Sequence, residues 1–579
     1  MQTFHFSPRP NRAHEIRWRS WGPEPLAEAG REEKPVLLNL TAAWCTWCHR
    51  LDETTYSDPE LIDLLNEHFV AVRVDADRHP HVQDRYIAGG WPTTAFLTPT
   101  GEVLWAGTYV EPAEMRSVAG SVLAAWRDRR AEFEAEIERR RRALDAARNR
   151  HMAVGLVRRE AADDVLTAVR EAFDVRNGGF GDAPKFPAPE AVELLFLQGT
   201  RDPDCASMAE RTLDGMLAGA LFDAEAGAFF RYAQSSDWTL PAPEKLLTVN
   251  AGLVRAYAAG ARMRGRDDWA SAVARTVGWA DVLVRADGLW GGSEAADEAH
   301  YQQRAAERQG ASVDRTAYTC ANAEWIGALA GAGASLGRPE WSAAAATALE
   351  RLIPVSSAEN ELLYHVHEPD GAGRALAILA ADLLAAASAC LMVAEATGGA
   401  RWLAEARRLA QSLERHFWAE YGGFHDRIRS PDDVGALRYR DRPFELNADA
   451  ARFLLDLSHA TGERKYRALA ERVLALLSPQ AGRFGVGGAT FALAVEDFFE
   501  PGLRVFIVGE DGAADGLRAA ALKLPYPGRR VWPATDGARI GPVQLRGGTG
   551  SVAYVCGPHG AAPPITDPAD LEEAAAAVL

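Results

Sequence analysis

A chain of 579 residues is too long for one hydrophobic core, so two or three domains are expected. Its hydrophobic content of 47% and charged content of 25% are those of an ordinary globular protein, and no run of about 18 apolar residues predicts a membrane span. The net charge of −17 leaves no basic footprint for nucleic acid and disfavours substrates carrying several negative charges.

The first stretch, "MQTFHFSPRPNRAHEIRW", lacks an apolar core and does not read as a secretory signal. Residues 35–40, "PVLLNL", predict a short buried strand. "AAWCTWCH" (42–49) follows at once, with Cys45 and Cys48 three positions apart. A helix capped by Ser57 or Asp58 comes next, with Leu61, Leu64 and Leu65 on one face. "VAVRVDAD" (70–77) predicts a second strand, and "TTAFLTPTGEVLWAG" (93–107) a strand, a turn and a returning strand.

Residues 126–154 read as a highly charged helical connector after an α/β domain of residues 1–125. From 155 to 500 the sequence turns to alanine- and leucine-rich helices punctuated by glycine-aromatic turns. Gly178, Gly227, Gly291, Gly422 and Gly482 mark five of them, and Leu362 in "ENELLYHVHE" fills the one long gap. Two helices fit each step, so six helical hairpins are predicted, closed into a toroid with the turns at one rim. An open helical solenoid is the alternative. Residues 501–579 predict a small α/β segment, with strands in "LRVFIVG", "RRVWPAT" and "SVAYVCG".

Three chemistries share the CxxCH spelling: a redox dithiol, half of a zinc site, and c-type haem attachment. Structural zinc needs four ligands, and no second Cys or His pair has suitable spacing. Haem attachment goes with export. The redox reading accounts for more of the local sequence. A cysteine at a helix start meets the positive end of the helix dipole, which favours thiolate, and a second cysteine one turn on resolves mixed disulfides. Pro92 in "GGWPTT" follows in the right order to shape a substrate groove. The six cysteines contain only this close pair, which fits a reducing cytoplasm.

Residues 35–109 resemble a thioredoxin fold, with Trp91-Pro92 as its cis-proline bond. The whole chain resembles the spermatogenesis-associated protein 20 family, through "WCTWCHRLDETTYSDPELIDLLNEHFVAVRVDAD", "GGWPTTAFLTPTGEVLWAGTY", "GGFGDAPKFP", "PEKLL" and "AYVCGPHG". That resemblance implies a multidomain α/β plus all-α chain: a thioredoxin-like domain of unknown function 255, then a six-hairpin, glycosidase-like (α/α)6 toroid. It implies Cys45 as attacking thiolate, exposed beside Trp44, with Cys48 as resolving thiol and His49 tuning the local charge. Thioredoxins carry a buried aspartate six residues before the first cysteine, and here that position is Asn39, which cannot titrate.

Toroids of this kind resemble glycosidases and sugar 2-epimerases, so carbohydrate processing in the funnel is the alternative function, and non-catalytic binding a third. Such chemistry needs a carboxylate pair. Rim candidates are Asp182, Asp237, Glu244, Asp297 and Asp314, with Lys185 and Lys245 as counter-charges and Trp238, Trp290, Tyr301, Trp325 and Trp418 as sugar-facing or core aromatics. His365 and His367 alternate as a metal pair does on a strand, but a third ligand is lacking, and no metal is assigned. No GxxxxGK[ST], HExxH or GxGxxG motif occurs, so no cofactor is expected. The expected partner is a protein or small-molecule thiol or disulfide, with a sugar-like ligand in the toroid.

Overall fold

The computed structural model describes residues 4–148, 155–295, 311–368, 374–375, 378–541, 543–547 and 550–579. Asp297 and Tyr301 lie outside them. The chain divides into two units. One holds Met1–Ala153, Ala295–Asp314 and Arg427–Asp441; the other holds Val154–Glu294, Arg315–Asp426 and Arg442–Leu579.

The first unit is thioredoxin-like. Helix α1 (Pro23–Glu32) leads to β1 (Val36–Thr41), α2 (Thr46–Glu53), α3 (Pro59–His68), β2 (Val70–Asp75), α4 (Pro80–Tyr86), β3 (Thr93–Leu97), β4 (Val103–Gly107) and α5 (Pro112–Arg148). Asp58 caps α3 by accepting the Leu61 N–H. The sheet order is β2-β1-β3-β4, with β1 parallel to β2 and antiparallel to β3. Period-two alternation gives the sheet two apolar faces. Val36, Leu38 and Leu40 pack on one side with Val70, Val72 and Val74, while Leu37, Ala71 and Phe96 pack on the other with Leu51 and Leu61. The charged stretch from 126 is not a separate connector. It continues α5, whose first half buries Met115, Ala119, Val122 and Trp126 and whose helical geometry breaks at Arg129.

A polar row crosses the second face: Asn39 pairs with Arg73 on one side and Thr94 on the other. The Arg73 guanidinium makes two 2.8 Å bonds to the Asp52 carboxylate of α2, and both side chains are buried. Asp52 also accepts the Ser7 N–H at 3.0 Å, and Arg73 donates to the His5 carbonyl at 2.9 Å. This buried ion pair ties the dithiol helix, β2 and the N-terminal segment together.

Among the described residues the second unit carries six helical hairpins. Helices α7 (Pro189–Gln198), α9 (Leu247–Arg264), α11 (Thr319–Leu336), α13 (Ala380–Thr397), α15 (Phe444–Thr461) and α17 (Ala489–Phe499) pack each on the next, and α17 packs back on α7. That return contact closes the ring, which decides for a toroid over an open solenoid. Helices α6 (Glu160–Ala172), α8 (Pro203–Ala218), α10 (Asp267–Trp279), α12 (Pro339–Ser356), α14 (Ala400–Phe417) and α16 (Arg464–Leu477) form the outer layer. Outer α14 buries Trp402, Leu409, Leu413 and Phe417 on one face. Inner α13 is apolar on most sides, and it is the one helix among the described residues long and apolar enough to cross a membrane. Its apolar surface is taken by α11, α14 and α15.

The glycine-aromatic turns are pinched alike. Single bridges join Phe173 to Phe180, Phe222 to Phe229, Val284 to Trp290, Ser357 to Leu363 and Trp418 to Phe424. Gly178 has φ +70°, and a Cβ there would stand 2.4 Å from the Arg211 carbonyl oxygen. In the third turn the left-handed residue is Gly288 rather than Gly291, and in the fourth Asn360 and Glu361 take positive φ in place of glycine.

Behind three of these turns sits an inner-helix amide. Asn322 accepts the Trp290 N–H at 2.9 Å and donates to the carbonyls of Trp290 and Tyr318 at 2.9 and 3.0 Å. Asn250 serves Phe229 and Leu246 in the same way, and Asn447 serves Phe424 and Pro443. The C-terminal segment forms a sheet of β5 (Arg504–Val508), β6 (Arg530–Ala534), β7 (Val552–Gly557) and β8 (Gly560–Ala561) in the order β6-β5-β7-β8. Helices α18 (Gly512–Ala521) and α19 (Leu571–Val578) complete its core.

Candidate functional site

The dithiol lies where β1 ends and α2 begins. Cys45 is the N-cap of α2, its sulfur accepting the Cys48 N–H at 3.1 Å, and the two cysteines form a disulfide with Cα atoms 5.2 Å apart. Antiparallel β3 starts opposite Leu40, so Pro92, after a cis bond from Trp91, stands at the same sheet edge. Trp44 donates its indole N–H to Asp77 at 2.7 Å and meets the Trp91 ring at 5.5 Å.

Cys45 is not exposed beside Trp44: the two are 2% and 4% accessible, and Cys48 is 2%. The accessible ring is that of Trp47, between the cysteines, 41% exposed and 5.3 Å from Tyr109. Loss of hydration lowers the pKa of His49 further than Asp52 and Glu53 raise it, so this imidazole is neutral near pH 7. It therefore adds no positive charge next to the dithiol. Asn39 is buried, its amide 3.5 Å from the Thr93 carbonyl.

The rim residues take several environments. Lys185 is buried, donating to Asp174 at 2.6 Å and to the Gly178 carbonyl at 3.0 Å. Lys245 is buried against Asp223 at 2.8 Å and Glu294 at 3.4 Å. Each ammonium thus staples a glycine turn. Glu244 is 3% accessible, Asp182 is exposed, and Asp314 is half-buried. Trp238, Trp290 and Trp325 are buried in the helical layers. The two histidines diverge: His365 bonds Asp382 at 2.9 Å, while His367 meets Thr319 and Ser356 at 2.9 and 3.0 Å. Asp456, His459 and Asp497 bring three ligand atoms within 4.8 Å of one another, but the two carboxylates already meet Arg530 and Arg504.

A second cluster lies inside the ring. Arg452 of α15 pairs with Glu193 of α7, helices that are not ring neighbours, so this pair crosses the interior. On the same helices, Glu190 pairs with Arg255 of α9 at 3.2 Å, and on α11 the Cys320 thiol donates to Glu324 at 3.4 Å. Asp449 of α15 is accessible to solvent, yet the concave wall strips hydration from it. That loss, and then the Glu190 and Glu324 carboxylates, push its pKa up to about 7. Glu324 is raised too, first by lost hydration. Burial, then Glu324 and Asp382, hold Cys320 well above the usual thiol range, so it stays a thiol. Sequence reasoning looked at the rim and missed this cluster. The available signal was acidic residues placed inside otherwise apolar inner helices, as in "PEAVELLF" and "TCANAEW".

Residues 9–145 match the Thioredox_DsbH family model, described as a protein of unknown function, DUF255. Human spermatogenesis-associated protein 20 is 30% identical over 285 residues, 45% of this chain and 36% of that protein. An uncharacterized protein of Caenorhabditis elegans is 30% identical over 262 residues, 42% of this chain and 36% of its own length. The chain thus covers little more than a third of the curated relatives it matches. Among solved structures, cellobiose 2-epimerase from Bacillus thermoamylovorans has a TM-score of 0.45 at 10% identity, over 54% of this chain and 85% of the epimerase. Residues 9–145 are thus similar to the thioredoxin-like DUF255 family model, and 285 residues of the chain are similar to part of spermatogenesis-associated protein 20.

Proposed function

We propose that this chain is a thiol–disulfide protein whose Cys45/Cys48 pair exchanges electrons with a disulfide-bearing protein or small molecule, in a reducing cytoplasm, and whose toroid binds a ligand. The observation that carries the reading is the capping of α2 by Cys45 itself, at the end of the helix where thiolate is favoured. In the reducing direction the Cys45 thiolate attacks one sulfur of the substrate disulfide, forming a mixed disulfide and releasing one substrate thiolate. The Cys48 sulfur then attacks that of Cys45, releasing the second substrate thiol and leaving the Cys45–Cys48 disulfide; two electrons have passed to the substrate. Asn39 cannot take the proton that Cys48 loses, and neutral His49 is the base beside it in the chain.

The test is alkylation of the reduced chain against pH with mass-spectrometric readout, and equilibration in glutathione buffers. The Cys45 thiol is expected to titrate below the ordinary value of about 8.5 and to form a reversible intramolecular disulfide. An ordinary thiol, or a pair that never closes, overturns the reading.

A second reading, acid–base chemistry on a sugar-like ligand inside the ring, is favoured by the Asp449–Glu324–Glu190 cluster. A carboxyl protonated near neutrality serves as a general acid, and its neighbours offer a base. Such activity would survive loss of Cys45. The cluster also predicts a pH signature. Because the folded pKa of Asp449 lies above its unfolded value, its contribution is intact below about pH 4 and lost as pH rises through about 7. Asp449→Asn is therefore expected to match the parent chain at pH 4 and exceed its stability at pH 8, by about 1 kcal/mol after allowing for solvent screening of an accessible group. Parallel stability profiles in chemical denaturation at the two pH values would remove the support for this reading.

A further inference from the structure

An exposed cation stands beside the dithiol without an anion to pair with it. Trp47, between the two cysteines, is followed one helical turn later by Arg50, so their side chains share a face of α2. The Arg50 guanidinium lies 5.3 Å from the Trp47 ring centre and 5.9 Å from that of Tyr109, and the two rings are 5.3 Å apart. Tyr109 follows β4, whose Gly107 pairs with Thr94 close to Pro92, so it stands at the sheet edge that carries the dithiol. Its hydroxyl meets that of Thr54 at 3.1 Å.

Arg50 and Trp47 are both exposed, and among the described residues no carboxylate lies within 4.0 Å of the Arg50 guanidinium. The acids nearest to it along α2 are engaged elsewhere: Glu53 holds Arg9 at 2.8 Å, and Asp52 holds Arg73. A guanidinium laid against aromatic rings keeps its in-plane N–H donors for a carboxylate, and the rings limit the freedom it loses on pairing. Access to the sulfur atoms is narrow, since Cys45 and Cys48 are each 2% accessible. A small, flexible disulfide suits such an entrance better than one held inside a folded domain.

We propose that Arg50, positioned by Trp47 and Tyr109, selects the disulfide that the dithiol reduces: a small one carrying carboxylates close to its sulfur atoms, of the glutathione type. This selectivity presupposes the thiol–disulfide chemistry proposed above. The reduced chain and glutathione disulfide give the Cys45–Cys48 disulfide and two glutathione thiols, so two electrons and two protons leave the chain. An acidic substrate meets overall repulsion from a chain of net charge −17, and the local cation offsets it.

The test mixes the pre-reduced full chain with glutathione disulfide, uncharged hydroxyethyl disulfide or cationic cystamine, and follows closure of the Cys45–Cys48 disulfide by mass spectrometry. The ratio of rate constants, glutathione disulfide over hydroxyethyl disulfide, is expected to fall about fivefold in Arg50→Gln and about tenfold or more in Arg50→Glu. The ratio over cystamine should fall further, because the same changes relieve repulsion of its ammonium groups. Arg50 is exposed and makes no side-chain hydrogen bond among the described residues, so both variants keep the fold. Added salt should bring the parent's ratio toward that of Arg50→Gln. Ratios unchanged in both variants, with the disulfides still reduced, overturn the selectivity and leave the dithiol chemistry standing. A parent chain that reduces none of the disulfides removes both.

Discussion

Arg73→Met is expected to destabilise the thioredoxin-like unit by about 3 to 5 kcal/mol, because it strands the Asp52 carboxylate in the core. Arg73 and Asp52 are 3% and 0% accessible and meet through two parallel 2.8 Å bonds. Removing one partner leaves a buried charge whose only remaining donor among the described residues is the Ser7 N–H. The loss would spread, since the same guanidinium anchors the His5 carbonyl and stacks 4.6 Å over Phe6. Hydrogen exchange on the β1 amides reads the unit separately from the toroid, and their protection should fall by about two to four orders of magnitude. The double change Arg73→Met with Asp52→Leu should recover most of it, because apolar groups of similar volume avoid the desolvation cost. A single variant that exchanges like the parent would mean that water or another cation already serves Asp52.

The apolar run "PVLLNL" and the strand "VAVRVDAD" made the sheet legible, and the strand–dithiol–helix order made the thioredoxin-like fold legible, because both are local in sequence. Ring closure was less accessible: it depends on α17 returning to α7 across the length of the unit, a contact with no local signature. The lumen cluster stayed hidden for a related reason. Glu190, Glu324 and Asp449 come from three separate helices, and only closure brings their charges to bear on one another. Asp52 and Arg73 lie 21 positions apart with no local sign that they meet, and the fold buries them together. Lys185 and Lys245 show the reverse case. Their place beside the turns was visible, but the aspartates that draw their ammonium groups inward, Asp174 and Asp223, precede them by a full turn motif.

Asn322→Ala is expected to cost the toroid about 3 kcal/mol, the penalty of leaving buried backbone groups of Trp290 unsatisfied. The amide accepts one N–H and donates to two carbonyls, so no smaller side chain replaces it. Asn322→Asp separates this account from simple packing. An ionised carboxylate can still accept the Trp290 N–H but faces two carbonyl oxygens it cannot serve, so its folded pKa must rise above the unfolded value of about 4. The variant should then be closest to the parent at low pH, where the neutral acid donates one bond, and lose stability as pH rises through the shifted pKa. Packing loss alone would give no such slope. Asn250 and Asn447 hold Phe229 and Phe424 by the same three bonds, so their alanine variants should lose comparable stability in denaturant titrations. A cost confined to Asn322 would mean that its turn, and not the shared amide, sets the energy.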